Sequence, residues 1–116
     1  LMRTILAEYG YRVIEAADGE DAVRKVREHR NDVRLVILDV IMPRKGGREV
    51  RDEVVRLAPD VKVLYISGYN IDILRSKGFT EGVDNFVLKP VSPMDLLRTV
   101  RQVLDRAAPQ QAVPKT

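Results

Sequence analysis

The sequence predicts one α/β domain whose parallel sheet is doubly wound, with helices on both faces. Short apolar runs alternate strictly with amphipathic stretches, and each stretch between runs is long enough for a helical crossover. The 116 residues suit a single domain, and 45% hydrophobic with 32% charged residues is the balance of a folded globular protein. Because parallel strands need crossover connections, the alternation itself indicates the type of sheet.

Five stretches carry the apolar spacing or the boundary signals of helices. The first lies at the start of the chain and ends at Gly10, a residue type that commonly terminates helices. Asp18 can cap the second helix, and Ser92 followed by proline is a strong start for the last one, which runs to about Ala107. The third has an apolar stripe at Val50, Val54 and Leu57, and residues 71–75 allow a short fourth helix.

Four short segments between these helices have the residue types of strands. Residues 11–16 combine β-branched and aromatic side chains. Residues 33–38 include four consecutive apolar residues, which suits a strand covered on both faces of a parallel sheet. Residues 61–66 are the next predicted strand and residues 83–88 hold another short one, so helices and strands alternate along the whole chain.

Composition and motif content exclude several classes of function. The chain has no cysteine, and its single histidine, His29, lies in a charged helix end, so neither a thiolate nor a histidine metal cluster is expected. Neither a P-loop motif nor a dinucleotide-binding glycine motif occurs. The net charge of +3 is small and scattered, and no apolar run approaches the ~18 residues of a membrane span. We therefore expect no nucleic-acid partner and no membrane contact.

Three polar residues directly follow three of the predicted strands. Asp39 comes after the second strand, Ser67 after the third and Lys89 after the fourth. The functional clefts of open parallel sheets lie outside the carboxyl ends of the strands, so these side chains are expected at one edge. A carboxylate nucleophile or metal ligand, with a hydroxyl and an ammonium to bind phosphoryl oxygens, suits phosphoryl chemistry. Each residue alone has a plainer explanation as a turn or surface residue, but their convergence favours a site.

The motifs around these residues resemble those of response regulator receiver domains. Residues 35–43, Leu-Val-Ile-Leu-Asp-Val-Ile-Met-Pro, with Gly46-Gly47 after them, are similar to the family's phosphoacceptor strand and loop. Ser67-Gly68-Tyr69 and residues 86–90, Phe-Val-Leu-Lys-Pro, match later motifs of the family in order and spacing. The resemblance extends from Leu1 to about Arg106 and implies a flavodoxin-like, three-layer α/β/α fold.

This resemblance implies a role for each residue in a two-component His–Asp phosphorelay. Asp39 would accept a phosphoryl group from a histidine kinase or a histidine phosphotransfer domain, in a transfer that the receiver itself catalyses. Lys89 would pair with that group, and the bond to the following proline would be cis. Ser67 would be the switch hydroxyl and Phe86 the aromatic switch, which together change the face formed by the last two helices and the last strand. The family's Mg²⁺ would be bound by Asp39 and by the backbone carbonyl of Ile41.

The start of the chain departs from the family's pattern. A receiver begins with a central hydrophobic strand that ends in an acidic pair, and those carboxylates hold Mg²⁺; here no residue before Glu8 is acidic. We therefore expect an N-terminally truncated receiver that lacks this strand, binds Mg²⁺ poorly and is phosphorylated weakly. The strands at residues 11–16 and 35–38 would flank the gap with unpaired backbone groups, which predicts missing upstream residues or a homodimer formed by strand pairing or swapping.

The receiver domain is predicted to span residues 1–107, with a flexible tail at residues 108–116. The motif at residues 65–69 and the segment at residues 89–93 are similar to receivers fused to the C-terminus of hybrid histidine kinases; a stand-alone receiver or one from a longer regulator is the competing interpretation. Two further hypotheses stay open: a phosphorylation-independent interaction module of receiver shape, and a small phosphatase or phosphotransferase that uses Asp39 as a covalent nucleophile. For the receiver we expect a cytoplasmic location.

Overall fold

The structure, a computed structural model, describes residues 2–40, 46–80 and 84–106. In this part of the chain, helices cover both faces of a parallel sheet. The elements are α1 (Met2–Glu8), α2 (Gly19–His29), β1 (Leu35–Asp39), α3 (Gly47–Leu57), β2 (Lys62–Ser67), α4 (Ile71–Ser76), β3 (Phe86–Leu88) and α5 (Pro93–Asp105).

The sheet has the strand order β1-β2-β3, and both neighbouring pairs are parallel. Leu35 of β1 lies opposite Lys62 of β2, and Tyr65 of β2 lies opposite Phe86 of β3. Because the strands run in the same direction, all three end at the same edge of the sheet. The predicted α/β fold with a parallel sheet is confirmed.

The prediction of a strand at residues 11–16 is wrong. The segment pairs with no strand in the part of the chain that the structure describes, so the sheet there has three strands rather than four. The Tyr11 N–H donates instead to the Leu6 carbonyl, and the Lys25 ammonium donates to the Glu15 carbonyl. Residue types favour an extended backbone, but a strand also needs a hydrogen-bonded neighbour.

Two apolar clusters pack on opposite faces of the sheet. Successive residues of a strand point to opposite faces, so Leu64 enters one cluster and Tyr65 the other. Both faces of the sheet are therefore covered by helices, as predicted. The cluster under α2, α3 and α4 contains Ala22, Val23, Val26, Leu38, Val40, Val50, Val54, Ala58, Val61, Tyr65, Leu74 and Phe79, and the cluster under α1 and α5 contains Leu6, Leu64, Leu96, Val100 and Val103.

The predicted boundary signals operate at three helix ends. The Asp18 carboxylate accepts from the Asp21 N–H at the start of α2, and Ser92 Oγ accepts from the Asp95 N–H at the start of α5. Both contacts satisfy backbone donors that a helix N-terminus leaves without intrahelical partners. Gly10 follows α1 with φ +90°, a left-handed conformation that glycine adopts without steric strain.

The last strand lies within its predicted segment, and the last helix ends close to its predicted end. β3 covers Phe86–Leu88 of the segment 83–88 predicted to hold a short strand, and residue 83 lies outside the described residues. α5 ends at Asp105, and the predicted tail at residues 108–116 also lies outside them. Among the described helices, none combines the length and the hydropathy needed to cross a membrane.

Candidate functional site

Three of the residues singled out in the sequence converge at the carboxyl edge of the sheet. Asp39 is the last residue of β1, Ser67 is the last residue of β2, and Lys89 directly follows β3. Adjacent parallel strands bring these positions together, since Asp39 lies opposite Ile66 and Ser67 lies opposite Leu88. The juxtaposition predicted from the strand ends is therefore present in the fold.

An ion pair joins the first and the last of these strands. Lys89 Nζ donates to Asp39 Oδ2 at 3.0 Å, and the two side chains are 49% and 42% exposed. Water and salt screen a pair this exposed, so its contribution to folding is about 1 kcal/mol or less. The peptide bond between Lys89 and Pro90 is cis, as the resemblance implied. The pair thus holds a cation beside an accessible carboxylate, where it can meet further negative charge.

The hydroxyl of Ser67 bonds within its own turn. Ser67 is 1% exposed, and its Oγ accepts from the Tyr69 N–H at 2.8 Å and lies 3.4 Å from the Tyr69 carbonyl oxygen. This small turn satisfies a backbone donor immediately after β2. To donate to a group on Asp39, the hydroxyl would have to give up its 3.4 Å contact with the Tyr69 carbonyl oxygen.

An open cleft of about 280 Å³ lies over the strand ends. Its position beyond the carboxyl ends of parallel strands is the usual place for function in such sheets. Tyr69 lines the cleft, and Lys77 Nζ lies 5.1 Å from the centroid of its ring, a cation–π distance. The lining residues are Asp39, Val40, Ser67, Gly68 and Tyr69.

Of the other two predicted site residues, the structure describes Phe86 but not Ile41. Phe86 is half-buried on β3 and packs against the cluster under α2, α3 and α4. Ile41, predicted to offer a carbonyl to Mg²⁺, lies outside the described residues. No group of three or more His, Asp or Glu side chains with metal-binding geometry occurs in the described ranges. The carboxylate of Asp39, already facing an ammonium, does not by itself fit a Mg²⁺ site.

A close backbone contact behind Asp39 was not assigned from the sequence. A Cβ atom on Gly47 would lie 2.9 Å from the Asp39 carbonyl oxygen and 3.3 Å from the Val40 Cα. The Gly47 N–H also donates to the Val40 carbonyl at 3.2 Å. The first residue of α3 is therefore packed directly on the end of β1. The paired glycines at residues 46–47 were the available signal, but they predict only that backbones approach, not which ones.

Comparison with known proteins decides the family. The sequence profile of the response regulator receiver domain matches residues 1–101 of the chain. The chain belongs to the response regulator receiver family. The receiver motifs found in the sequence and the cleft at the strand ends therefore belong to a domain of two-component systems.

Individual relatives agree with this family and differ in their wider architecture. The receiver is 36% identical over 120 residues to the probable transcriptional regulator ycf27 of Porphyridium aerugineum, covering 100% of this chain and 48% of that protein. It thus spans about half the length of this relative. A solved receiver domain of the hybrid histidine kinase CckA is 32% identical, with a TM-score of 0.75 and coverage of 90% and 86% of the two chains.

A third relative was solved in a complex. This CheX–CheY–BeF3–Mg complex from Borrelia burgdorferi superposes with a TM-score of 0.75 at 26% identity, covering 90% of this chain and 79% of that chain. Its name places Mg²⁺ and a second protein with that receiver. The comparison supports a CheY-like fold for the receiver described here.

Proposed function

We propose that this receiver accepts a phosphoryl group on Asp39 from a phosphohistidine. The supporting observation is the 3.0 Å contact between Lys89 Nζ and Asp39 Oδ2 at the border of an open cleft. The carboxylate is 42% exposed, so a donor can reach it, and the ammonium offers compensation for incoming negative charge. Family membership supports phosphoryl chemistry over an unrelated use of the same residues.

The proposed transfer joins Asp39 to phosphorus and releases the donor imidazole. One carboxylate oxygen of Asp39 forms the new P–O bond while the P–N bond of the phosphohistidine breaks, with its electron pair remaining on the imidazole nitrogen. The product is an acyl phosphate with about two negative charges, roughly one more than the carboxylate that it replaces. Lys89 is already in place and needs only to exchange or share its carboxylate contact for a phosphoryl contact.

Ser67 and Phe86 supply the proposed conformational response. The Ser67 hydroxyl, bound to the Tyr69 backbone before transfer, would turn to a phosphoryl oxygen. Space near Ser67 would then become available to Phe86, which lies on the neighbouring strand β3 and is half-buried. Such a change would alter the face formed by α4, β3 and α5, as a two-state switch requires.

The role of Mg²⁺ is proposed separately from the roles of Asp39, Lys89, Ser67 and Phe86. Mg²⁺ occurs in the name of the solved complex of a related receiver, which supports its use by this family. Among the described residues of this chain, no group of three or more His, Asp or Glu side chains could hold a metal ion. We therefore assign no step to the metal, and weak Mg²⁺ binding stays a prediction.

The proposed partner is a phosphohistidine-bearing histidine kinase or histidine phosphotransfer domain. Similarity to the receiver of the hybrid kinase CckA supports a place within a hybrid kinase, and similarity to ycf27 supports a longer regulator. Sequencing the coding region on both sides of this segment separates these architectures. Kinase motifs upstream would support the hybrid kinase. We propose a cytoplasmic location for the receiver, because it must share a compartment with its phosphohistidine-bearing partner.

Homodimer formation through strand pairing is a further part of this proposal. The outer edge of β1 pairs with no strand in the described ranges, although Leu35 and Ile37 pack against the same cluster as Tyr11 and Val13. An unpaired strand edge is a template for a second chain. We expect the mass from light scattering to rise toward that of a dimer with concentration; a constant monomer mass would contradict this.

Phosphoryl transfer can be tested with a phosphorylated histidine phosphotransfer domain as the donor. We expect slow incorporation of one phosphoryl group, detected as an acid-stable but alkali-labile label that reductive trapping places on Asp39. Asp39→Asn should abolish the label. Asp95→Asn is the matched control, because Asp95 is an exposed carboxylate on α5 with its own arginine partner, Arg98.

The outcome at Asp39 decides the proposed function. Label that persists in Asp39→Asn, or no label under conditions in which the donor phosphorylates another receiver, would overturn the proposal. Repeating the reaction with and without Mg²⁺ tests the metal separately. Strong, Mg²⁺-dependent labelling would contradict the prediction of weak Mg²⁺ binding while supporting Asp39 as the acceptor.

A further inference from the structure

Arg48, in the first turn of α3, makes two contacts with the segment that leads into β3. Its guanidinium lies 3.3 Å from the Asp84 carboxylate, and its Cζ lies 5.0 Å from the centroid of the Phe79 ring. Phe79 in turn packs edge-on against Tyr65 of β2, with 4.9 Å between ring centroids. A guanidinium suits this double contact because it is planar, always charged and able to lie on an aromatic face.

The Asp84 carboxylate is enclosed more than most acidic side chains of this chain. Its side chain is 9% exposed, and it also accepts from the Thr80 N–H at 2.8 Å. The Asp84 N–H donates to the Thr80 carbonyl at 2.8 Å, so two hydrogen bonds join Thr80 and Asp84. A carboxylate so enclosed depends on its cationic partner, since burying it without one is costly. Arg48 is therefore an anchor for Asp84, two positions before β3.

The residue before Arg48 contacts Asp39, the proposed phosphoryl acceptor. Gly47, next to Arg48, packs on the Asp39 carbonyl so closely that a Cβ would lie 2.9 Å from it. The start of α3 thus contacts the end of β1 through Gly47 and the entry to β3 through Arg48. β3 is a three-residue strand that pairs with β2 among the described residues, so few backbone hydrogen bonds hold it.

We propose that Arg48 is a positioning residue that holds β3, and with it Lys89, in register with Asp39. The Arg48–Asp84 ion pair fixes the amino end of the short strand whose carboxyl end presents the Lys89 ammonium. Its effect on phosphoryl transfer rests on the proposed function, but its effect on β3 does not. Loss of the anchor would let Lys89 move away from Asp39 without any change in either residue.

Amide hydrogen exchange on the full chain tests the anchor without phosphorylation. Two amides report on β3: the Tyr65 N–H, which donates to the Asn85 carbonyl at 2.8 Å, and the Lys89 N–H, which donates to the Ser67 carbonyl at 2.7 Å. In Arg48→Met, we expect both to exchange about tenfold faster relative to the amides of α2. Methionine keeps much of the aliphatic stem and removes the guanidinium.

Three further variants separate positioning from a general loss of stability. Arg48→Lys keeps a cation and should recover part of the protection at Lys89. Asp84→Asn should accelerate the same two amides, and adding Arg48→Met to it should add less than about a twofold effect, because the pair is already broken. Arg98→Met removes an exposed arginine paired with Asp95 and should leave both amides unchanged.

The proposal depends on which amides exchange faster in the variants. Equal acceleration in α2 and β3, or unchanged exchange of the Lys89 N–H, would overturn it. If Arg48→Met does not fold, the same comparison is made with Arg48→Lys and Asp84→Asn, and acceleration confined to the two reporter amides supports the anchor. A β3-specific effect in a chain that takes no label on Asp39 would support the anchor while rejecting the proposed function.

Discussion

Lys89 Nζ and Asp39 Oδ2 lie 3.0 Å apart although 50 positions separate them in the sequence. The contact follows from topology: Asp39 ends β1, Lys89 follows β3, and β2 lies between them with all strands parallel. Both side chains remain about half exposed, so the pair is accessible to a donor. An ion pair that adds little to stability at this edge is better explained by what it can bind than by what it holds together.

Replacing Lys89 should separate its contribution to stability from its proposed role in phosphoryl transfer. We expect Lys89→Met to change the free energy of unfolding by less than about 1 kcal/mol, because the pair is exposed. Labelling of Asp39 by a phosphohistidine donor should fall by at least about tenfold, because the charge that meets the phosphoryl group is lost. Urea denaturation and the initial rate of labelling measure the two quantities. A stability loss of several kcal/mol with undiminished labelling would show that Lys89 is structural.

Ser67→Ala should affect stability more than its small change in volume suggests. Ser67 is 1% exposed, and removing Oγ leaves the Tyr69 N–H without the acceptor that it has at 2.8 Å. This part-buried amide would lose its partner, at a cost of about 1 kcal/mol. Ser76→Ala is the matched control, since the exposed Ser76 hydroxyl donates to the Ile73 carbonyl inside α4. Equal unfolding free energies for the two variants would contradict the bonding described for Ser67.

The sequence was sufficient to predict which residues share the functional edge. Asp39, Ser67 and Lys89 each follow an apolar run, and parallel topology sends the ends of all such runs to one side. The helix caps at Asp18 and Ser92 were predictable for a similar reason, because a cap depends on residues within one turn. Local chemistry and one topological rule therefore account for the location of the site.

Features that depend on distant neighbours were not predictable in the same way. Residues 11–16 have the composition of a strand, but pairing requires another strand beside them, which residue types do not report. The bond from the Tyr69 N–H to Ser67, and the contact between Gly47 and Asp39, arise from how a turn closes and how α3 docks. Docking is decided by packing of whole elements, so a motif indicates such contacts without specifying the atoms.

Gly47→Ala should disturb the end of β1. The added methyl group would meet the Asp39 carbonyl oxygen at 2.9 Å and the Val40 Cα at 3.3 Å, both backbone atoms that cannot rotate away. We expect a loss of about 1–3 kcal/mol in unfolding free energy, as for other overpacked sites. Gly68→Ala is the control, because nothing lies within 4 Å of a Cβ built there. Urea denaturation compares the two, and a Gly47→Ala protein as stable as Gly68→Ala would refute the close contact.

The buried hydroxyl of Tyr65 gives a prediction about alkaline pH. Tyr65 is 1% exposed, and its hydroxyl has no hydrogen-bond partner in the described part of the chain. Burial raises the pKa of Tyr65 to about 12 from an ordinary value of 10.0, because the charged phenolate loses its hydration. The folded state therefore keeps a proton that the unfolded state releases above pH 10. This linkage makes the folded state lose stability as the pH rises from 10 to 12.

Tyr65→Phe should remove that pH dependence. Below pH 9 we expect the variant to be as stable as the parent chain or about 1 kcal/mol more stable, because a hydroxyl without a partner is deleted from the core. By pH 12 its advantage should grow by about 2 kcal/mol, since only the parent has a phenol at position 65 that is protonated when folded and ionises when unfolded. Urea denaturation across this range measures the difference, with Tyr9→Phe as the control because Tyr9 is 63% exposed. If the parent and Tyr65→Phe curves stay parallel from pH 9 to pH 12, the phenol of Tyr65 is not held protonated by burial.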